Sequence, residues 1–336
     1  MVVIVAALTA GCQSGPSTSA PAPTHAPTPS PWTRQEPGVG IVRVIVIDPT
    51  NPTTLYAATP DGVLRSTDGG AHWQRGGTGF KSHDIRALAI DAKTPSVLYA
   101  GSASGVVSKT TDGGATWQPL SVPTTRAVPI RAIVIDPQDS KNVYVAIPRS
   151  GVLKTSDGGA TWQPVNEGLT ELDVRALAID PTRPTNVYAG TNGKGFFKST
   201  DGGAKWHQSN EGLSNLVLRS IAVDPRAPAS LFASTNGIGV FKSTDGGTTW
   251  KAAGNGLASM VIAVITIDPT KPSTVYAAAA GGTLAKTTDG GANWKTVSPD
   301  TGRQIWTIAI DPRSPGTIYV GTGGDGIFKS TTGAEG

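Results

Sequence analysis

From residue 41 onward, apolar residues fall in short runs that stop at glycine, proline or aspartate. Ile85-Arg-Ala-Leu-Ala-Ile90 is one such run, Val97-Leu-Tyr-Ala100 a second and Gly195-Phe-Phe-Lys-Ser199 a third. Runs of this length between turn formers read as β-strands. The chain holds 42 glycines and 26 prolines, 68 of its 336 residues. That content disfavours long helices and suits many short strands joined by tight turns.

The runs repeat. The first kind ends in Ile/Val-Asp, at Asp48, Asp91, Asp136, Asp180, Asp224, Asp268 and Asp311; all but Asp91 precede proline. An aromatic follows about eight residues later, as Tyr56, Tyr99, Tyr144, Tyr188, Phe232, Tyr276 and Tyr319. A third signal is Ser/Thr-x-Asp-Gly-Gly-x-x-Trp, with the pairs Asp68–Trp73, Asp112–Trp117, Asp157–Trp162, Asp201–Trp206, Asp245–Trp250 and Asp289–Trp294. The period is 43–45 residues, which marks propeller blades of four strands each. Strand A ends at the Asp, strand B carries the aromatic, strand C follows a Gly-rich turn, and the Asp-Gly-Gly turn leads to strand D with the Trp. A short Asp side chain accepts backbone N–H groups of its own turn, glycine tolerates the positive φ of a tight hairpin, and the Trp packs between blades.

The run Ser/Thr-x-Asp-x-Gly-x-x-Trp resembles the Asp-box, or BNR, repeat of sialidases, sortilin-type receptors and related propellers, over residues 32–336. The expected fold is an all-β, seven-bladed β-propeller. Its seventh blade explains both ends. Strand C there is Gly326-Ile-Phe-Lys-Ser330, the box is degraded with Thr332 in place of Asp, and the chain ends at Gly336 before a Trp. A spare Trp32 precedes the strand A slot at Arg43 by 11 residues, against 12–14 elsewhere. Trp32 is therefore expected on the missing strand D, closing the ring by pairing the N-terminal strand with the last blade.

Ahead of the repeats, residues 1–12 run from Met1 through an apolar stretch to Ala10-Gly11-Cys12. This resembles a bacterial lipoprotein signal, in which the cysteine is acylated, although Thr9 stands where Leu is commoner and no basic residue precedes the apolar run; a start upstream of Met1 would supply one. The alternative is a frayed apolar terminus. Residues 13–31 are a Pro/Ser/Thr/Ala tract unable to build a core; extended, it reaches roughly 60 Å. The expectation is an exported monomer, lipid-anchored at Cys12 to the outer face of a bacterial membrane or cell envelope, with the lipid as its one contact with the membrane. Cys12 is the single cysteine, so no internal disulfide forms.

Asp-Pro turns and Asp-boxes fall on one face of such a ring. The D-to-A and B-to-C loops fall on the other, where strand A begins. Arg43, Arg86, Arg131, Arg175 and Arg219 occupy equivalent strand A positions in blades one to five, with Ala263 and Trp306 in blades six and seven. One reading is an arc of guanidinium groups binding a protein or anionic ligand; the other is a repeated structural contact between blades. Asp84 and Asp173 stand two residues before Arg86 and Arg175, which leaves Arg43, Arg131 and Arg219 freer for a ligand. A second basic series, Arg65, Lys109, Lys154, Lys198, Lys242, Lys286 and Lys329, precedes each box Asp, or Thr332, by three residues and is expected to pair with turn aspartates or to lie solvated.

The net charge of +4 and the lack of any block of Lys or Arg give no reason to expect nucleic acid. The four histidines, at 25, 72, 83 and 207, show no metal spacing, and Asp-Gly-Gly lacks the alternating ligands of a calcium loop; neither a metal nor a cofactor is expected. Every tyrosine occupies the strand B slot, leaving none as a sialidase-type nucleophile, and the sialidase Phe/Tyr-Arg-Ile-Pro motif is absent. Size and anchor together resemble the photosystem II stability and assembly factor family. That likeness implies a non-catalytic binding or assembly module whose arginine-rich surface engages a membrane-protein partner, with the five strand A arginines as the counterpart. The competing expectation is a glycan-active propeller, sialidase-like or xyloglucanase-like hydrolase or lectin, which requires a carboxylate pair about 5–10 Å apart beside the arginines.

Overall fold

Each repeat folds into a four-stranded antiparallel sheet in the order A-B-C-D, and there are seven. Blade two shows the rule: strand A is Ile85–Ile90, B Leu98–Ser102, C Val107–Thr110 and D Gln118–Leu120. The computed structural model describes residues 30–35, 40–124, 127–257, 259–299 and 301–335. The signal segment with Cys12, the tether up to residue 29, and Asp300 lie outside the described residues. No helix of the described chain is long and apolar enough to cross a membrane.

The strand B runs are buried on both sides, as in the five consecutive buried residues of Leu55–Thr59 and of Val187–Thr191. A sheet apolar on both faces must be covered on both faces, and the neighbouring blades do this. The core is accordingly divided into seven clusters, one per seam. The seam of blades seven and one gathers Val42, Ile45, Leu55 and Leu64 with Ala309, Tyr319 and Ile327.

The ring closes through the N-terminal strand. Trp32–Gln35 pairs antiparallel with Ile327–Ser330, setting Thr33 opposite Lys329. In the first blade Gln74 faces Arg65, and in the sixth Lys295 faces Lys286. The residue after the Trp thus meets the same strand C position, which makes Trp32 the equivalent of the box tryptophans. It is 7% exposed, and its indole N–H donates to the Val297 carbonyl of blade six at 2.8 Å. Trp206, Trp250 and Trp294 reach the preceding blade in the same way. In the box-bearing blades the Trp stands one residue before strand D rather than within it, and in blades two, four, five and six its backbone N–H donates to the preceding D-to-A loop, as Trp206 does to the Glu167 carbonyl.

The boxes are self-contained turns. Asp112 Oδ1 accepts the Thr110 hydroxyl at 2.7 Å and the Thr116 N–H at 2.9 Å, while Thr110 Oγ1 accepts the Gly114 N–H. The seventh keeps the fold of the turn without its carboxylate, and Ala334 takes the positive φ of 61° that glycine takes elsewhere.

The strand C lysines are not paired with turn aspartates. Each reaches across the seam instead: Lys109, Lys154, Lys198, Lys242, Lys286 and Lys329 donate to the carbonyls of Gly158, Gly202, Gly246, Gly290, Gly333 and Gly69 in the next box, at 2.8–3.0 Å. Tyr99, Tyr144, Tyr276 and Tyr319 donate their hydroxyls to the same carbonyls, and each ammonium lies 5.2–6.0 Å from the strand B ring of its own blade, within cation–π range. The strand A aspartates serve their own turns instead, as at Asp180, whose Oδ1 accepts the Thr182 and Arg183 N–H groups. Burial pushes the hydroxyls of Tyr99, Tyr144 and Tyr319 up to about 12, so they remain donors at any ordinary pH.

Two tests follow from this frame. Trp32→Ala should cost about 3–5 kcal/mol in urea unfolding, as for a buried aromatic, and deletion of residues 32–36 should lower the melting temperature of the whole ring; an unchanged melting temperature would refute closure by this strand. The second concerns acid. Hydrogen bonds hold all six box carboxyls below the usual carboxylate range, led by the Thr116 and Thr161 hydroxyls at Asp112 and Asp157, the His72 and Lys205 backbone N–H groups at Asp68 and Asp201, and the Thr249 and Thr287 hydroxyls at Asp245 and Asp289. A carboxyl with a lowered folded pKa contributes stability above its unfolded value, about 4, and loses it as pH falls toward the folded value. The melting temperature should therefore drop below about pH 4, less steeply when several box aspartates are changed to Asn.

Candidate binding face

Strand A of every blade lines the axis of the ring, and its first residues open on the face of the D-to-A and B-to-C loops. The arginine slot has a distinct backbone. In blade two, Ile85 faces Ser102 and Ala87 faces Gly101, so Arg86 is an extra residue without a partner. The same register shift falls at Arg175, Arg219, Ala263 and Trp306. In blades one and three the slot lies just before strand A, where the Arg43 and Arg131 N–H groups bond to Ala58 and Ala146. A β-bulge re-aims its side chain, and here it turns the slot residue toward the channel mouth. Opposite the bulge, Gly101 makes room for the neighbouring blade: a Cβ there would stand 2.5 Å from Ile130.

The five arginines converge. With Val44, Ile130, Ala263, Gln304 and Trp306 they line one basin of about 240 Å³ at the mouth. No carboxylate belongs to its lining. Asp84 takes two of the guanidiniums, Arg43 Nε at 3.2 Å and Arg86 Nη2 at 2.7 Å. Asp173 faces Arg175 Nη2 at 3.5 Å and also accepts Asn192 Nδ2 at 2.7 Å. Arg219 donates through Nε and Nη2 to Asn236 Oδ1 at 3.0 and 2.8 Å. Arg131 has no ion pair among the described residues and is the one exposed member of the five.

This alters the expected division of labour. Arg43 and Arg219 are not free. Strand A residues draw together toward the axis, so the acid of blade two reaches the arginine of blade one across the seam, and an amide just past the end of the neighbouring strand B replaces the missing acid of blade five. The repeated inter-blade contact holds for Arg43 alone, since Arg86 and Arg175 pair within their own blades. Desolvation lowers the pKa of Arg43, Arg131 and Arg219, with Arg86 next in effect at Arg43 and Arg175 next at Arg131 and Arg219; guanidinium stays protonated at neutral pH all the same. The Nε groups of Arg86 and Arg175 are buried without a hydrogen-bond partner. Asn236 and Gln304 went unnoticed in the sequence, although Thr-Asn-Gly occurs at both 191–193 and 235–237.

A larger cleft, about 630 Å³, opens on the box face between blades six and seven, beside the degraded box. Lys286 is matched by Glu335 and Asp289 by its own turn, which leaves Lys295 as the one unpaired charge among the cleft's described lining residues, against five guanidiniums and two acids at the basin. Among the described residues no cluster of three or more His, Cys, Asp or Glu could hold a metal ion.

The model of the photosynthesis system II assembly factor YCF48 family matches residues 45–327. The chain belongs to that family. Among curated proteins none matches the sequence. Two solved YCF48 propellers share its fold: one bound to a D1 peptide, at 18% identity and TM-score 0.70 over 91% of this chain and 98% of that one, and one from Cyanidioschyzon merolae, at 15% identity and TM-score 0.69 over 89% and 98%. The GH74 xyloglucanase from Xanthomonas campestris is similar at 18% identity and TM-score 0.74, over 91% of this chain and 54% of the enzyme. The chain thus spans about half the length of that enzyme. At these identities the likeness is one of fold.

The electrostatics of this YCF48-family basin are measurable. Two unit charges about 10 Å apart in water repel by about 0.4 kcal/mol. Relieving Arg131 of two such neighbours is thus worth just under about 1 kcal/mol, or about 2 °C for a chain of this size. Arg131→Gln should raise the melting temperature by that amount in about 10 mM salt, and the difference should vanish near 1 M, as screening predicts.

Proposed function

We propose that the protein is a non-catalytic docking propeller that binds a partner protein through acidic groups seated on the arginine-lined mouth. The carrying observation is that five guanidiniums line one basin from which carboxylates are absent, with Asp84 and Asp173 as their paired acids. That leaves a net positive charge placed for an anionic ligand, and charge-assisted bonds to carboxylates are the strong ones. The D1 peptide bound to a solved YCF48 propeller supports a peptide partner. Export, acylation of Cys12 and a spacer over residues 13–31 complete the reading: a propeller held off a membrane surface, within reach of a membrane-protein partner.

Glycoside hydrolysis, as in the GH74 neighbour, needs an acid and a second carboxylate flanking the scissile bond. Asp84 and Asp173 are each engaged by arginine, which argues against that role for them.

Affinity capture from detergent-solubilised membranes of the source cells tests the proposal, comparing the full chain with a variant carrying Ala at Arg43, Arg86, Arg131, Arg175 and Arg219. A bound membrane protein should be lost from the variant, and Arg131→Ala alone should weaken its binding by roughly 10–100-fold, the worth of one hydrogen bond to a charged group. An identical set of captured proteins would remove the arginine mouth from the function.

A further inference from the structure

Five blades place arginine in the slot at the start of strand A and the sixth an alanine; the seventh places Trp306, which is 40% exposed. One other large apolar side chain among the described residues is comparably open: Ile238, at 46%. It lies in the B-to-C turn of blade five, two residues beyond the Asn236 that holds Arg219. Both therefore stand on the arginine face.

Their arrangement around the mouth has a direction. The ring order is Arg43, Arg86, Arg131, Arg175, Arg219, Ala263, Trp306, so blades three and four stand across the channel from blade seven. Arg43 and Arg86 share Asp84, and Arg219 is held by Asn236. Neither Arg131 nor Arg219 has a counter-charge among the described residues, but Arg219 is hydrogen-bonded to an amide, so the guanidinium without a partner is Arg131, on the side facing Trp306. Alanine in the sixth slot keeps the ground beside the indole open. The mouth is thus uneven, with the unpartnered guanidinium on one side and the aromatic on the other, beside an Arg43 already taken by Asp84.

A uniform polyanion gains nothing from this. The face of an indole carries negative potential and repels carboxylate, sulfate or phosphate, and a sixth arginine in the slot would serve such a ligand better. Trp and Arg together are the residues enriched at protein-binding hot spots. The basin, at about 240 Å³, is also smaller than the roughly 300–1,000 Å³ that encloses a small-molecule ligand, and matches one or two side chains of a larger partner.

We propose that the mouth is a two-part site in which Trp306 is a specificity-determining residue: it seats one aromatic or large aliphatic side chain of an acidic peptide segment, while Arg131 and Arg175 take the carboxylates beside it. This rests on the reading of the arginine face as the docking surface and adds what that surface selects.

The probes are two fluorescently labelled seven-residue peptides, both capped at the C-terminus, with four glutamates around either one phenylalanine or one serine. By anisotropy in about 50 mM salt, the wild-type chain should prefer the phenylalanine peptide about tenfold, the yield of partly burying one such side chain. Trp306→Ala should bring the ratio to about one and leave serine-peptide binding within about twofold, since the charged half is untouched. Trp306→Arg guards against misfolding, because the same slot holds arginine in five blades; it should tighten serine-peptide binding and also abolish the preference. A preference that survives both substitutions, or a wild-type ratio of one, overturns the role of Trp306. In the second case, binding of both peptides that is lost in Arg131→Ala would leave the docking reading standing. Failure of the wild-type chain to bind either peptide overturns both.

Discussion

A blade of this protein is apolar on both faces, so no blade is complete until it has a neighbour on each side. Ring closure is the constraint on which everything else depends. The apolar clusters sit at the seams rather than inside the blades, and an open ring would leave two such faces in water. A single four-residue strand, Trp32–Gln35, prevents this by completing the last sheet. The closing seam also receives the same strap as the others, with Lys329 and Tyr319 both donating to the Gly69 carbonyl some 250 residues away in sequence.

That strap explains why the recognisable motif is conspicuous. The box turns its first glycine carbonyl outward, toward the preceding blade, and the lysine and tyrosine of that blade converge on it. The carboxylate of the box is consumed by its own turn, so the lysine uses the carbonyl in its place. Motif, aromatic and lysine form one structural unit repeated around the ring. They occupy the box face and leave the opposite face to chemistry that the motif does not describe.

On that opposite face the repeat is broken in a useful way. The bulge at the start of strand A is common to five blades and points one side chain per blade at the axis. The backbone supplies a ring of equivalent positions; the sequence fills five with arginine, one with alanine and one with tryptophan. Only two acids answer the five cations, and Asp84 is shared between them. Arg86 and Arg175 meet their acids through Nη2 and leave Nε buried without a hydrogen-bond partner.

Blade number, strand order, the place of Trp32 and membership of the arginine series were legible in the sequence, because each is a property of local chain repeated at a fixed period. Turn chemistry depends on a few adjacent residues, and a repeat of 43–45 residues leaves little choice of blade. The partners were not legible. Whether a lysine meets an aspartate or the next glycine carbonyl, whether Arg43 finds Asp84, and whether Trp306 is covered all depend on how the strands converge toward the axis and which oxygens are already filled. Those are distances between blades, and they exist only once the ring has closed.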